Sequence, residues 1–248
     1  MLPFLFIILF INGAFSTDPY KACENGEPDV NDAIRKGALD IHNEFRVNLT
    51  KKLLLQDNGE ALPGSKSMFK LTYDCALEGL AMTTLSGCQS KPKMDYIPAG
   101  KSLNYAIVRN VAPLPADAAI AEMIKATAEE WAETRYDDII DEKTVTYNNT
   151  DLEPFANMIY HKTMTVGCGT MYCSGPKNRL AIACVYDAKP ELGQPLYTPA
   201  KADKGCNDND KPCTKAVKGS TCILANDPTF AAYKGLCKAT NYFTLPIC

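Results

Sequence analysis

The sequence predicts an α+β fold, in which amphipathic helices accompany a β-hairpin stapled by disulfides. Ile34, Ala38, Ile41 and Phe45 recur at spacings of four, three and four, which places them on one face of a helix. The segment Leu180–Tyr186 is apolar at most positions and predicts a strand that is buried on both faces. The chain also contains eleven cysteines, enough to crosslink these elements several times.

Three helices follow from the sequence pattern. The first begins after Asn31, a favourable N-cap residue, and ends near Asn48–Thr50. The second is predicted over Lys70–Gly87. The third and clearest covers Ala116–Arg135, and its apolar stripe includes Trp131, which we expect in the core.

The strands are predicted in two places. Met164–Cys173 and Leu180–Tyr186 form the expected hairpin, and the β-branched residues Val166 and Val185 favour it. One short strand, Ser102–Arg109, is expected inside the long proline-containing connection Gln89–Pro115.

The first sixteen residues predict a secretory signal. Met1–Ser16 is apolar and uncharged, and we expect cleavage between Ser16 and Thr17. The run is too short for a membrane span, so we expect a secreted, soluble, extracellular protein. Asn48 and Asn148 begin glycosylation sequons, which fit that compartment.

The rest of the chain divides into a main domain, 17–200, and a cysteine-rich C-terminal extension, 201–248. The extension has little periodicity and cannot bury a core of its own, so it must rely on disulfides. The net charge of −3, without a basic cluster, argues against a nucleic-acid partner.

Several motifs resemble the CAP superfamily of cysteine-rich secretory, antigen-5 and plant PR-1 proteins. His42, Asn43 and Arg46 are similar to the first-helix signature of that family, and Leu71–Glu78 is similar to its second helix. Gly193–Tyr197, followed by clustered cysteines, resembles nematode activation-associated secreted proteins, including hookworm members that inhibit platelets or neutrophils. The second CAP signature is matched by Phe155, Asn157, Met158, Ile159, Tyr160, Gly167, Cys168, Cys184 and Tyr186.

The resemblance implies an α-β-α sandwich, with a three- or four-stranded antiparallel sheet between helical layers. It also implies the disulfides Cys88–Cys173 and Cys168–Cys184, and for nematode members Cys23–Cys75. In the extension, two further bonds from four cysteines would leave Cys248 free or available for a disulfide-linked dimer, although five tail cysteines allow other assignments. Those four are Cys206, Cys213, Cys222 and Cys237.

Many CAP proteins hold two histidines and two glutamates in a central cleft that can bind a divalent metal. The corresponding positions here are Leu103, Thr134 and Pro154, and the remaining histidine belongs within 86–100, where the sequence has none. None of these side chains supplies the imidazole or carboxylate that such a site needs. We therefore expect no metal, no cofactor and no enzymatic activity.

Only two histidines occur in the chain, which limits any nucleophilic mechanism. Neither matches a metal position of the family. His161 is interpreted as an isolated surface or edge residue. For His42 the resemblance implies a structural role, in which the helix side chain bonds across the core.

The preferred hypothesis is a secreted interaction protein that binds a host cell-surface receptor, an integrin, and inhibits platelet or leukocyte adhesion. Hookworm relatives of this kind block integrin-class receptors, and the sequence has no Arg-Gly-Asp or Lys-Gly-Asp tripeptide. The candidate contact loops are Lys51–Lys66, Gln89–Pro115 and Arg135–Asp151. The alternative is extracellular lipid or sterol binding, as in other CAP proteins, with Tyr96–Pro115 as a flap over an apolar cavity. A metal-dependent hydrolase is a third reading, against which the lost ligands argue.

Overall fold

The computed structural model describes residues 23, 26–27, 30–201 and 203–239. The predicted signal peptide, its cleavage site after Ser16 and the expected unpaired Cys248 lie outside these residues. The helices are Asp32–Thr50 (α1), Cys75–Leu85 (α2), Asp117–Glu133 (α3), Glu153–Ile159 (α4) and Lys211–Ala216 (α5). The strands are Thr72–Tyr73 (β1), Ser102–Arg109 (β2), Thr165–Cys173 (β3), Arg179–Tyr186 (β4), Thr221–Cys222 (β5) and Cys237–Lys238 (β6).

A four-stranded sheet in the order β1-β3-β4-β2 lies at the centre of the fold. The predicted hairpin is present, since β3 and β4 pair antiparallel, and β2 pairs antiparallel with the other edge of β4. These three strands form the expected antiparallel sheet, and the short β1 is added as a fourth strand that pairs parallel with β3. No hairpin links these two strands. The chain between them passes through α2, β2 and α3, so the crossover leaves β1 free to run parallel.

Helices cover both faces of the sheet, which gives the expected three-layer sandwich. Successive side chains of β4 point to opposite faces. One set packs with the core of α1, α3 and α4, and it consists of Leu180, Ile182, Cys184 and Tyr186. The other set packs with α2, and it consists of Ala181, Ala183 and Val185.

Small residues on the α2 side let that helix lie close to the sheet. A Cβ atom at Gly167 would collide with the backbone of Asp74 and Glu78 at the start of α2. One at Gly169 would press on the Met82 side chain. The glycines of β3 therefore set the spacing between α2 and the sheet.

The second helix is shorter than predicted. Thr72 and Tyr73 form β1 rather than the first helical turn, and the backbone N–H of Thr72 donates to Met164 O at 3.0 Å. Asp74 then caps α2, since its side chain accepts from the N–H groups of Ala76 and Leu77. Pairing with β3 thus overrides local helix preference in this segment.

The cysteine-rich extension packs on the main domain. Its cysteines share a buried cluster with Phe69 and Met164 of the main domain. The backbone N–H of Cys237 donates to Met68 O at 2.8 Å, and Lys70 N–H donates to Cys237 O at the same distance. The described disulfides of the extension, Cys206–Cys222 and Cys213–Cys237, crosslink it internally, and these hydrogen bonds and buried contacts attach it to the main domain. Within the part of the chain that the structure describes, no helix has the length and hydropathy of a membrane span.

Candidate functional site

A buried polar chain joins α1, β4, β2 and α4 at the centre of the molecule. His42 Nδ1 lies 2.7 Å from Ala38 O, to which it donates, so His42 Nε2 accepts from the Tyr186 hydroxyl at 2.8 Å. Asn104 Nδ2 donates to the same hydroxyl at 3.0 Å, and Asn157 Nδ2 donates to Asn104 Oδ1 at 2.8 Å. Burial lowers the pKa of His42 from 6.5 to about 4, so the ring is neutral at physiological pH. His42 therefore takes the structural role that the resemblance implies.

Arg46 is a second buried anchor on α1. It is fully buried, and its guanidinium donates to four backbone carbonyls at 2.9 to 3.1 Å. Burial lowers its pKa to about 9. Three of the acceptors, the carbonyl oxygens of Met158, Tyr160 and Thr163, lie in the segment that leads from α4 into β3, and the fourth is Phe69 O. Arg46 therefore fixes that segment.

The structure places the three replaced metal positions around this buried chain. Asn104, next to Leu103, donates to Pro154 O at 2.9 Å, and the N–H of Phe155, next to Pro154, donates to Thr134 Oγ1 at 3.2 Å. Leu103 offers no donor atom, Pro154 has no ligating side chain, and Thr134 Oγ1 is engaged with Trp131 O at 2.8 Å. The residues present do not fit a divalent metal at this position.

No acidic neighbour takes over the missing ligand positions. Glu133 is exposed, and Glu153 is half-buried beside a cleft of about 690 Å³. In the described ranges, the only group of histidine, cysteine or carboxylate side chains close enough for a shared ion is formed by Cys206, Cys213 and Cys237. All three are in disulfides.

The disulfides connect the elements as the resemblance implies. Cys168 and Cys184 are opposite each other on β3 and β4, with their Cα atoms 4.1 Å apart. The bonds among the described residues are Cys23–Cys75, Cys88–Cys173, Cys168–Cys184, Cys206–Cys222 and Cys213–Cys237.

Two of the three predicted contact loops lie side by side. Arg135 Nε donates to Leu55 O at 2.9 Å, and the N–H of Ile140 donates to Gln56 Oε1 at 2.7 Å. The guanidinium of Arg135 also lies 4.1 Å from the ring centroid of Tyr136. The segments Lys51–Lys66 and Arg135–Asp151 therefore form one continuous surface.

The three predicted loops contain most of the exposed large hydrophobic side chains. Among the described residues, seven of the nine exposed large hydrophobic side chains fall within the three predicted loops. Four of them, 39% to 61% exposed, belong to the two adjoining loops, and Arg135 contacts two of these four residues, Leu55 and Tyr136. We call these five residues the loop patch: Leu53, Leu55, Arg135, Tyr136 and Ile139.

The third loop, Gln89–Pro115, does not join the patch. This loop ends just before the start of α3, whereas Arg135 lies just past the end of α3. At about 1.5 Å per residue, the two ends of that helix are about 24 Å apart. The loop residues Ser102–Arg109 are fully paired with β4, and Leu103 and Tyr105 pack with the α2 cluster. The proposed flap Tyr96–Pro115 was therefore wrong for its eight central residues, which form the sheet strand β2.

Two further features of the sequence are an acidic stretch in the loop Arg135–Asp151 and the two glycosylation sequons. Asp141 belongs to this acidic stretch with Asp137, Asp138 and Glu142. Its Oδ1 accepts from the N–H groups of Lys143 and Thr144 and from the Thr144 hydroxyl, and these bonds lower its pKa. Of the two sequon residues, Asn148 is exposed and Asn48 is half-buried within α1.

Comparison with known proteins gives the family of this chain. The model of the CAP family, described as the cysteine-rich secretory protein family, matches residues 39–186. The chain belongs to the CAP family, and the resemblance noted from its motifs is confirmed.

Its relatives include nematode secreted proteins. The chain is 25% identical to "Ancylostoma secreted protein" of Ancylostoma caninum over 228 residues, which cover 85% of this chain and 49% of that relative. The solved structure of Na-ASP-1 has a TM-score of 0.72 at 22% identity, over 90% of this chain and 50% of that one. This chain thus spans about half the length of both. The structure titled "Hookworm Platelet Inhibitor" has a TM-score of 0.58 at 18% identity, over 89% of this chain and 97% of that one.

Sequence reasoning named the contact loops as candidates but did not predict the patch within them. The order Arg135-Tyr136-Asp137-Asp138-Ile139 sets large apolar side chains among charges just past a helix, which is a signal for exposure. Nothing in the sequence indicated that this segment would lie against Leu55.

Proposed function

We propose that this protein is a secreted, non-enzymatic CAP protein that binds a host cell-surface adhesion receptor, an integrin of platelets or leukocytes, and inhibits adhesion. The observation that carries the proposal is the loop patch. It combines exposed aliphatic side chains with Tyr136 and Arg135, and tyrosine and arginine are the residue types enriched at binding hot spots.

The patch is suited to recognition because its backbone is held in place. Leu55 is bridged to Ala61 across the first loop, and the N–H of Gln56 donates to Glu60 O at 2.9 Å. Together with the two bonds between the loops, this ordering limits the entropy that binding would cost. The same two loops also carry acidic residues, and a polar rim is typical of interfaces: Asp57, Asp137, Asp138 and Glu142.

The absence of an enzymatic role is part of the proposal. It is supported by the residues at the family metal positions, where Leu103, Thr134 and Pro154 cannot act as a ligand set. The buried His42 has both ring nitrogens engaged, so it has no free atom for proton transfer to a substrate. The likeness to the platelet inhibitor supports the fold on which such a function can be built.

The test is an adhesion assay with patch variants. Purified protein would be added to platelets on fibrinogen and collagen, and to neutrophils on an activated endothelial layer. We expect dose-dependent inhibition by the wild type, and a loss of potency of about tenfold or more in a Tyr136→Ala, Ile139→Ser double variant.

The matched controls are Leu192→Ser and Leu224→Ser, which remove exposed apolar side chains that lie outside the three loops. Both should inhibit like the wild type. Inhibition that survives the patch variant would place the contact elsewhere, and no inhibition of any cell type or purified integrin would refute the proposal.

Lipid or sterol carriage stays the alternative. Because β2 occupies the eight central residues of the flap, only 96–101 and 110–115 lie outside the sheet and could cover a ligand. Native mass spectrometry after incubation with sterols and fatty acids tests this alternative directly.

A further inference from the structure

A pocket of about 580 Å³ lies between the main domain and the cysteine-rich extension. This volume is within the range of about 300 to 1,000 Å³ that small ligands and side-chain groups occupy. Its floor is apolar and includes Phe69 and Met164, which are buried, and the half-buried Val217 from the segment after α5. We call it the extension pocket; it shares no residue with the loop patch.

The walls of the extension pocket are crosslinked in advance of any ligand. Cys213 in α5 is bonded to Cys237, and Cys237 forms a parallel bridge with Phe69. On the other wall, the N–H of His161 donates to Leu196 O at 2.9 Å. A ligand would therefore meet a preformed cavity and lose little affinity to ordering of the walls.

The rim of the pocket is basic. Lys66, Lys162 and Lys215 come from three separate segments and are all exposed. Within the described part of the chain, none of the three forms an ion pair, whereas other lysines do. His161 also lines the pocket, and no carboxylate is among the lining residues. The site thus pairs an apolar floor with an excess of positive charge on a chain whose net charge is −3.

We propose that the extension pocket binds an acidic peptide segment of a partner protein through a sulfated tyrosine. The aromatic ring of that residue fits the floor of Phe69, Met164 and Val217, and its sulfate meets the lysine rim. Acidic neighbours in the peptide pair with the remaining lysines, because the three positive charges of the rim exceed the single negative charge of one sulfate ester.

The charge arrangement favours this ligand over two simpler ones. A long-chain carboxylate carries one charge and has no acidic neighbours, so it leaves most of the rim unmatched, whereas an acidic peptide supplies further carboxylates beside the sulfate. A sulfated glycan would match the lysines but not the apolar floor. Tyrosine sulfate joins both chemistries in one side chain and is a modification of secreted and cell-surface proteins, which fits the compartment indicated by five disulfides.

The experiment is a titration of full-length protein with three fluorescent peptides at about 0.15 M salt. All three share an acidic sequence and carry tyrosine sulfate, tyrosine or serine at the centre. We expect saturable binding of the sulfated peptide, about tenfold weaker binding of the tyrosine peptide, and still weaker binding of the serine peptide.

Charge variants locate the site. A Lys66→Gln, Lys162→Gln, Lys215→Gln triple variant should bind the sulfated peptide about tenfold more weakly. The matched control changes the same number of exposed lysines outside the pocket: Lys91→Gln, Lys177→Gln and Lys234→Gln. The control should bind like the wild type, and circular dichroism checks that both triple variants are folded.

A second readout follows the pocket floor directly. In protein with ¹³C-labelled methionine methyl groups, the Met164 signal, assigned with a Met164→Leu variant, should shift on addition of the sulfated peptide. Equal binding of sulfated and unsulfated peptides, an unchanged Met164 signal, or equal weakening in both triple variants would overturn the proposal. So would binding of a fatty acid in the pocket without binding of any peptide. Adhesion is not a readout here, so failure of this proposal and failure of the proposed function are distinguishable.

Discussion

Replacement of His42 by glutamine should remove a pH-dependent loss of stability from the protein. The neutral ring donates to Ala38 O and accepts from the Tyr186 hydroxyl, and the ring is fully buried. A proton on Nε2 would take away the acceptor of the Tyr186 hydroxyl and leave a buried cation without a carboxylate bonded to it. Burial accordingly lowers the pKa of His42 from 6.5 to about 4.

The size of the effect follows from the difference between the unfolded and folded pKa values of His42. Because the folded pKa lies below the unfolded one, the unfolded chain binds the proton first as the pH falls. The free energy of unfolding therefore decreases between pH 6.5 and about 4, by about 3 kcal/mol in total. His42→Gln keeps an acceptor for Tyr186 but cannot titrate, so it should lack this contribution.

The assay is guanidinium-induced unfolding, with disulfides intact, of wild type and His42→Gln over this pH range. The difference in unfolding free energy between the two proteins should change by about 3 kcal/mol in favour of the variant on acidification. His161→Gln is the matched control. Its pKa is also lowered by burial, but the ring is only half-buried, so its effect should have the same sign and be smaller. Parallel pH profiles for wild type and His42→Gln would refute the reasoning.

Three further predictions concern other parts of the structure. Gly167→Ala should lower the unfolding free energy by about 3 kcal/mol, because its Cβ would meet the backbone of α2, whereas Gly175→Ala, which faces open space, should leave the melting temperature nearly unchanged. Arg46→Lys should cost about 3 kcal/mol in chemical unfolding, since an ammonium cannot satisfy the four carbonyls that the guanidinium reaches; a loss below about 1 kcal/mol would contradict this reading. Calorimetric titration with zinc should show no stoichiometric tight binding, and a saturating one-to-one heat would overturn the reading of the metal positions.

Part of the candidate site was predictable because it depends on residue type. Neither a proline nor a leucine side chain offers a metal ligand, so the expectation that the family ligand set is missing follows from Leu103 and Pro154 together with the family pattern, without knowledge of the fold. The loop patch could not be inferred in this way. It exists because Arg135 and Leu55, 80 residues apart, are bonded to each other, and such a contact leaves no local signal.

The sequence by itself determined the elements whose pattern is local. Asn31 caps α1, and β2 has the predicted bounds Ser102–Arg109. Trp131 is in the core, and β4 is buried on both faces. In each case the residue types along one short segment already favour one structure, so the neighbours only reinforce it.

Only the tertiary structure decided how these elements meet. Leu71–Tyr73 continues a helical pattern in the sequence, yet β1 forms there because its backbone groups pair with β3, more than 90 residues later in the chain. The same holds for the extension pocket, whose floor joins Phe69, Met164 and Val217. Contacts between segments so distant along the chain depend on the packing of the whole domain, because no local preference of a few residues specifies which partner lies across from them.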